Sequence, residues 1–393
     1  MKARTMLAAA CAMFAMAVAA QGPQGRGRGD FDVEFLSGLI AIPSITPDVA
    51  ANNRAVEYVR AWCARHGLFT VVETNEVGRA GLYVSTTPGR RHDIVFVTHV
   101  DVVPPSAEGQ FEPSIKGDFL YGRGACDTKG NVAAILHALA KNAGRGSFGA
   151  VVATDEENRY PGQDTPTLLL DHGVVPQKFI IVGDTNGEHI DSLTTAEKGH
   201  VAITMRARGR GGHSSMPWAA DNPIPRLTEA YVKLRAALPS PADPDDHWRD
   251  DLTPTRISGS QANNIIPDVA EMVFSFRFTT PDAPQRMKEF IERTTGLEVS
   301  LPATWRPPVV TDPENPYVKS LFATMRRQWP DKNIRFTKMS CATDATRYAH
   351  LKLPTVVFGA TGYGAHAKDE RVSLSSVIGY ARMFAEFLES QAK

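Results

Sequence analysis

The sequence predicts an α/β protein: a doubly wound, mostly parallel sheet with a ferredoxin-like α+β unit inserted into it. Three observations predict this. Short apolar runs without alternation are separated by stretches of helical periodicity, the pattern of strands buried on both faces. Between roughly Lys198 and Pro307 the texture changes to alternating, half-exposed strands in the order β-α-β-β-α-β. The length, 393 residues, exceeds what one simple core needs. In chain order, 53–66 carries apolar residues at helical spacing and stops at Gly67. Strand-like runs occupy 69–73, 94–98, 149–154, 179–182 and 355–358, and helical patterns fit 130–143 and 373–392. Inside the insert, 201–207, 256–260, 271–279 and 297–301 read as strands, and 222–238 and 281–295 as helices. The proline-rich stretches 239–254 and 302–316 read as loop and linker. The expected organisation is a discontinuous larger domain, 31–197 with 308–393, interrupted by a smaller one, 198–307.

The ends and the composition limit the function classes. Lys2 and Arg4, the uncharged apolar run 6–20 and the small residues Ala17–Ala20 read as a secretory signal over 1–20, cut near Ala19 or Ala20. Residues 21–30 (QGPQGRGRGD) read as a disordered leader. The expected mature chain is secreted or periplasmic, without stable membrane insertion, since the apolar run is shorter than a bilayer span. Lys plus Arg and Asp plus Glu number 43 each, so charge offers no case for nucleic acid as a partner. Cys63, Cys126 and Cys341 form no C-x-x-C pair, which removes a structural zinc knuckle and a redox motif.

Ligands of open α/β sheets sit beyond the carboxyl ends of the strands. Here the run 94–98 leads into His99 and Asp101, 149–154 into Asp155, Glu156 and Glu157, 179–183 into Asp184, and 355–359 through a glycine-rich loop to His366. A further loop, GRGACDTKG at 122–130, places Asp127 just before a helix. Carboxylates packed that densely repel one another unless a cation neutralises them. Imidazole and carboxylate donors suit zinc, or cobalt or manganese. Two metals sharing one carboxylate form a common hydrolytic arrangement.

Six motifs then occur in order: THVDVVP (98–104), YGRGACDTKG (121–130), TDEEN (154–158), GGHSSMP (211–217), NNIIPD (263–268) and GAHAKDE (364–370). Together they resemble the di-zinc metallopeptidases and deacylases, a family that includes acetylornithine deacetylase, succinyl-diaminopimelate desuccinylase, aminoacylase, glutamate carboxypeptidase and carnosinase-like dipeptidases. The resemblance runs from about Phe31 to the end of the chain. It implies two divalent ions, most commonly zinc, and an insert that acts as lid and dimerisation domain. Carried over by motif, His99 and Asp184 bind the first metal, Asp127 bridges, and Glu157 and His366 bind the second. Asp101 orients the His99 imidazole, and Glu156 is the general base. His213 reaches across a homodimer to the scissile carbonyl, while Asn264 and Arg277 hold the substrate. Thr343, Asp344 and Arg347 resemble a substrate-side segment, with helix capping as the alternative for the first two.

The sequence departs from the family pattern at three places. Thr98 stands where glycine is usual, Asn158–Pro161 follow the paired glutamates where Gly-Gly is usual, and position 184 is Asp, as in the dipeptidases and aminopeptidases. The expected function is an exported hydrolase of dipeptides or short peptides. The alternatives are a deacylase of N-acyl amino acids and an inactive exported binding protein.

Overall fold

Strand Arg91–His99 is the spine of the fold, buried almost throughout from Ile94 onward. It pairs in parallel with Phe148–Ala153 on one side and Val175–Val182 on the other, and Thr355–Val357 extends the parallel block beyond the latter. Burial on both faces explains why these runs show no alternation. The computed structural model describes residues 31–157, 164–184, 191–238, 247–260 and 262–392. The expected signal and leader, 1–30, lie outside them. From Val33 onward the chain forms one unit.

The flanks of the nine-stranded sheet turn antiparallel. Ala80–Ser85 and Phe69–Thr74 extend one side, and Ser192–Glu197 with Val309–Val310 the other, where Arg335–Met339 also joins Ser192–Glu197 in parallel. Helix Val49–Arg65 starts where the Asp48 carboxylate accepts the Ala51 N–H (2.9 Å). It buries Val56, Val59, Trp62 and Cys63 against the sheet side of the fold. Helices Gly130–Lys141 and Leu374–Gln391 pack on each other, the second opened by a Ser373 side-chain cap. Cys63 is core packing, as its helical stripe indicates; Cys63, Cys126 and Cys341 form no disulfide among the described residues.

The insert folds as its pattern predicts. Its strands, in spatial order Asp251–Ser258, Val269–Phe278, Gly199–Arg208, Glu298–Ser300, are antiparallel. In chain order this is second, third, first, fourth, the ferredoxin-like arrangement. The two central strands alternate strictly between buried and partly exposed. Their buried side, with Ile203, Met205, Phe274 and Phe276, packs under Leu227, Leu234 and Ile291 of helices Pro223–Ala237 and Ala283–Thr295.

Two loop expectations are corrected. Strand Asp251–Ser258 begins inside the stretch 239–254, and Pro254 sits in it beside a register shift. An edge strand accommodates a proline because one row of its backbone groups pairs with no neighbour. The stretch 302–316 contains the short strand Val309–Val310 and ends in the Asn315 cap of helix Pro316–Gln328.

Strand Ser192–Glu197 (SLTTAE) escapes a hydrophobicity reading because its polar side chains are buried. Glu197 ends it, 1 % exposed. Its Oε2 accepts from the Thr343 N–H (3.1 Å) and Oγ1 (2.8 Å), while Oε1 has no partner. Burial pushes this carboxyl up to about 7, against the opposing pull of Thr343 and Arg306. A carboxyl that holds its proton more tightly when folded loses stability for the native state as pH rises from its ordinary 4.5 through 7. Glu197→Gln is therefore expected to gain stability relative to the parent across that window. The difference in Tm between the two, measured at pH 5 and pH 8, should widen in the variant's favour; a flat or reversed difference refutes the assignment.

Candidate metal centre

The site lies at the carboxyl ends of the parallel strands. His99 is the last residue of the spine strand and is 1 % exposed. Its Nδ1 lies 3.0 Å from the Asp101 carbonyl oxygen and 3.4 Å from Asp101 Oδ1. The Asp101 carbonyl is the nearer partner, and the Asp101 carboxylate also stands beside the ring. The Asp101 carboxylate also serves the neighbouring turn: Oδ1 accepts the Glu156 N–H (3.1 Å), and Oδ2 accepts the Glu157 N–H (3.1 Å) and Thr46 Oγ1 (2.9 Å). That turn carries Glu156 and Glu157 side by side.

With Nδ1 donating to a carbonyl, Nε2 of the neutral His99 ring is the nitrogen that carries the lone pair. This atom is buried and finds no hydrogen-bond partner, although Asp127 Oδ1 stands 3.2 Å away. Asp127 comes from the turn Ala125–Lys129, which Lys129 ties to helix Val33–Ile40 and the residues after it by donating its ammonium to the carbonyls of Leu39 and Ile42. Asp184 follows strand Val175–Val182. A Cβ at Gly359 would collide with the Asp184 carbonyl, so only glycine permits that close approach. His366 adopts a left-handed conformation, φ 64°, unusual for a residue other than glycine. Its Nε2 stands 3.0 Å from Glu157 Oε2 and 3.2 Å from Asp127 Oδ2.

Five of the sequence candidates therefore converge in two groups: His99, Asp127 and Asp184, and Asp127, Glu157 and His366. Within each group the ligand atoms lie within 4.8 Å of one another, and Asp127 belongs to both. The orphaned Nε2 of His99 and the oxygen-rich surroundings fit a pair of divalent cations sharing Asp127.

A family model for peptidase family M20/M25/M40 matches residues 95–390. The chain belongs to this peptidase family. It is accordingly a metal-dependent hydrolase. A succinyl-diaminopimelate desuccinylase of Nautilia profundicola is 26% identical over 380 residues, covering 91% of this chain and 98% of the relative. Among solved structures, aminopeptidase PepT of Bacillus cereus superposes with a TM-score of 0.73 at 18% identity, covering 93% of this chain and 99% of its own. The Bacillus subtilis YXEP protein, a dinuclear metal-binding peptidase of the M20 family, superposes with a TM-score of 0.64 at 14% identity, over 92% and 99% of the two chains.

Electrostatics in this M20 member favour cation binding. Burial opposes a charge on His99, yet the Asp101 and Asp127 carboxylates outweigh it and hold the imidazole well above its ordinary pKa. Asp127 and Glu157 raise His366 to about 10, against burial. Burial also acts to raise Asp127, but His366 and His99 together hold it below the usual carboxylate range. Glu157 is pushed up, chiefly by burial. These are basic nitrogens facing clustered carboxylates, and a divalent cation competes with protons for that donor set.

The remaining candidates sit elsewhere. His213, exposed, pairs across a two-stranded ribbon with Ile265, and its Nδ1 lies 2.7 Å from Ser215 Oγ. The Asn264 carbonyl accepts the Ser214 N–H (2.9 Å), so His213 and Asn264 are neighbours on the insert. Neither joins the two ligand groups. Arg277 stands opposite His200 in the insert sheet, half-buried, close enough to feel Cys341 and Glu197. Arg347 is held by carboxylates of its own chain. Its buried guanidinium pairs with Asp344 (2.6 Å), Asp155 (3.4 Å) and Asp164, anchoring the residue before Glu156. Thr343 takes the capping role, accepting the Ala345 N–H (3.1 Å), while Asp344 makes no side-chain cap. The sequence reading gives no role to Thr46 or Lys129, which position Asp101 and the Asp127 turn. Lys129 stands inside the quoted YGRGACDTKG motif, and a charge there without a ligand function was the available signal.

Proposed function

We propose that the chain hydrolyses amide bonds of dipeptides and other short peptides after export, using two divalent cations at the shared-aspartate centre. The observation that carries this is Asp127 in both ligand groups, with Glu156 presented beside Glu157 by one turn. His99 and Asp184 would hold one cation, Glu157 and His366 the other, with Asp127 between them. Zinc matches the donors best, and cobalt or manganese also fit. The cations would supply Lewis acidity and lower the pKa of a water molecule towards neutrality.

Glu156 accepts a proton from the attacking water at a side-chain oxygen and delivers it to the leaving amine nitrogen. His99 is kept in one tautomer by the Asp101 carbonyl, and Asp101 fixes the turn that aims Glu156. His213 donates to the carbonyl oxygen as negative charge develops. Arg277 receives a substrate carboxylate through its planar fork, aided by Asn264. His213 acts across a homodimer formed through the insert. Support for that assembly is the outer edge of Asp251–Ser258, which pairs with no strand among the described residues, and the exposed Ile224, Val232 and Ile257. Export rests on the composition of residues 1–20. No helix among the described residues is long and apolar enough to cross a membrane. N-terminal sequencing and the solution mass of the native protein test both: an uncleaved Met1 or a monomer overturns the corresponding statement.

Asp at position 184, as in dipeptidases and aminopeptidases, supports peptides as substrates. The desuccinylase name of the Nautilia profundicola relative favours a second reading, N-acyl amino acids. Turnover of a dipeptide and tripeptide panel is expected to exceed that of N-acetyl and N-succinyl amino acids. Activity confined to the acylated compounds would establish the second reading, and no turnover of any amide would leave a binding protein.

A further inference from the structure

Behind the candidate centre lies an ion pair to which neither the motifs nor the ligand groups assign a function. Arg123 and Glu370 are each 1 % exposed, and Arg123 Nη1 stands 2.5 Å from Glu370 Oε2. The other Glu370 oxygen, Oε1, accepts the backbone N–H of Cys126 and of Asp127, both at 3.1 Å. The other Arg123 terminus, Nη2, donates to the His366 carbonyl (3.1 Å) and to Ser106 Oγ (2.9 Å). Ser106 Oγ in turn donates to the same His366 carbonyl (2.8 Å). One carboxylate thus grips the backbone of Asp127, and one guanidinium grips the backbone of His366.

We propose that Arg123 and Glu370 are positioning residues that set the affinity of the cation held by Asp127, Glu157 and His366. The inference rests on the reading of those three side chains as ligands. Its reach comes from geometry. Asp127 and His366 lie 239 positions apart in the chain and arrive on a turn and a loop, not on a rigid strand. The left-handed backbone of His366 needs its surroundings to over-determine it. The bonds to its carbonyl from Arg123 and Ser106 do this. A buried ion pair is weak grounds for stability by itself, because desolvation offsets the attraction. Here the pair is also incompletely satisfied, since Arg123 Nε has no partner. Stability alone does not account for such an arrangement, whereas orientation of ligands does.

The test uses the full metal-free chain titrated with Co2+, followed by calorimetry and visible absorption. The parent is expected to bind two ions. In Glu370→Gln the amide oxygen still accepts the backbone N–H groups, but the amide nitrogen faces Arg123. In Arg123→Lys the charge stays and the second nitrogen, the one that reaches His366, is gone. Arg123→Lys, acting through His366, is expected to weaken the second ion by about 10- to 100-fold, with the absorption of the first little changed; Glu370→Gln, acting through the shared Asp127, is expected to weaken both ions, the second more than the first. Ser106→Ala, at an exposed position, removes one of the two bonds to the His366 carbonyl and is expected to weaken the same ion about two- to tenfold. A purely structural role predicts a lower Tm with both ions weakened equally, and that outcome overturns the proposal. So does unchanged second-ion affinity, for which Ser106→Ala decides alone if the buried variants do not fold. A parent that binds fewer than two ions instead defeats the ligand reading on which the inference stands.

Discussion

Glu156→Gln is expected to lower kcat by about 10²- to 10⁴-fold, the usual contribution of a positioned general base, while the protein keeps two ions per chain. Glutamine matches glutamate in size and can accept hydrogen bonds, but it cannot hold the proton taken from water. Glu156 belongs to neither ligand group, so its replacement removes no cation donor. The backbone of residue 156 stays anchored by Asp101 Oδ1, and Arg347 fixes the preceding Asp155, so the turn survives the change. The measurement is turnover of the best substrate from the peptide panel beside elemental analysis of the same preparation. Parental kcat in the variant removes Glu156 as the base. Lost metal would make it a ligand and move the base elsewhere.

The candidate centre was legible because topology does most of the placing. Parallel strands deliver their C-terminal residues to one edge, so His99, Glu157, Asp184 and His366 could be gathered from the residues that follow four apolar runs. The insert was legible for a similar reason: its central strands alternate, and its strand and helix order matches the ferredoxin-like pattern. What escaped depends on polar burial or on distant pairing. Ser192–Glu197 is a buried strand made of threonines and a glutamate, so apolar runs do not reveal it. The i+2 spacing places the Asp101 carboxylate beside the His99 ring, but it does not reveal that carboxylate's bonds to the Glu156 and Glu157 N–H groups, which join distant segments. Arg123 and Glu370 lie inside quoted motifs, yet their bonds to Asp127 and His366 join segments about 240 residues apart. No local periodicity encodes such a pair.

Asp127→Ala is expected to have the widest effect on metal content, because Asp127 is the one residue common to both groups. Its Oδ1 stands 3.2 Å from His99 Nε2 and its Oδ2 3.2 Å from His366 Nε2, so each oxygen faces a different imidazole. Removing it withdraws a ligand from each cation and the negative charge that lets two dications sit close together. It also leaves two imidazoles without the anion that raises their basicity. Asp184→Ala and His366→Ala each strip one group only. The expected series is therefore about two ions per chain in the parent, about one in each of those variants, and close to none in Asp127→Ala, with activity lost in step. Elemental analysis after dialysis against a stated free Zn2+ concentration reads the series directly. Two ions retained in Asp127→Ala would show that the cations do not share this carboxylate. Equal losses in all three variants would point to one cooperative site in which neither ion binds alone. Only the graded series matches two cations meeting at a single aspartate.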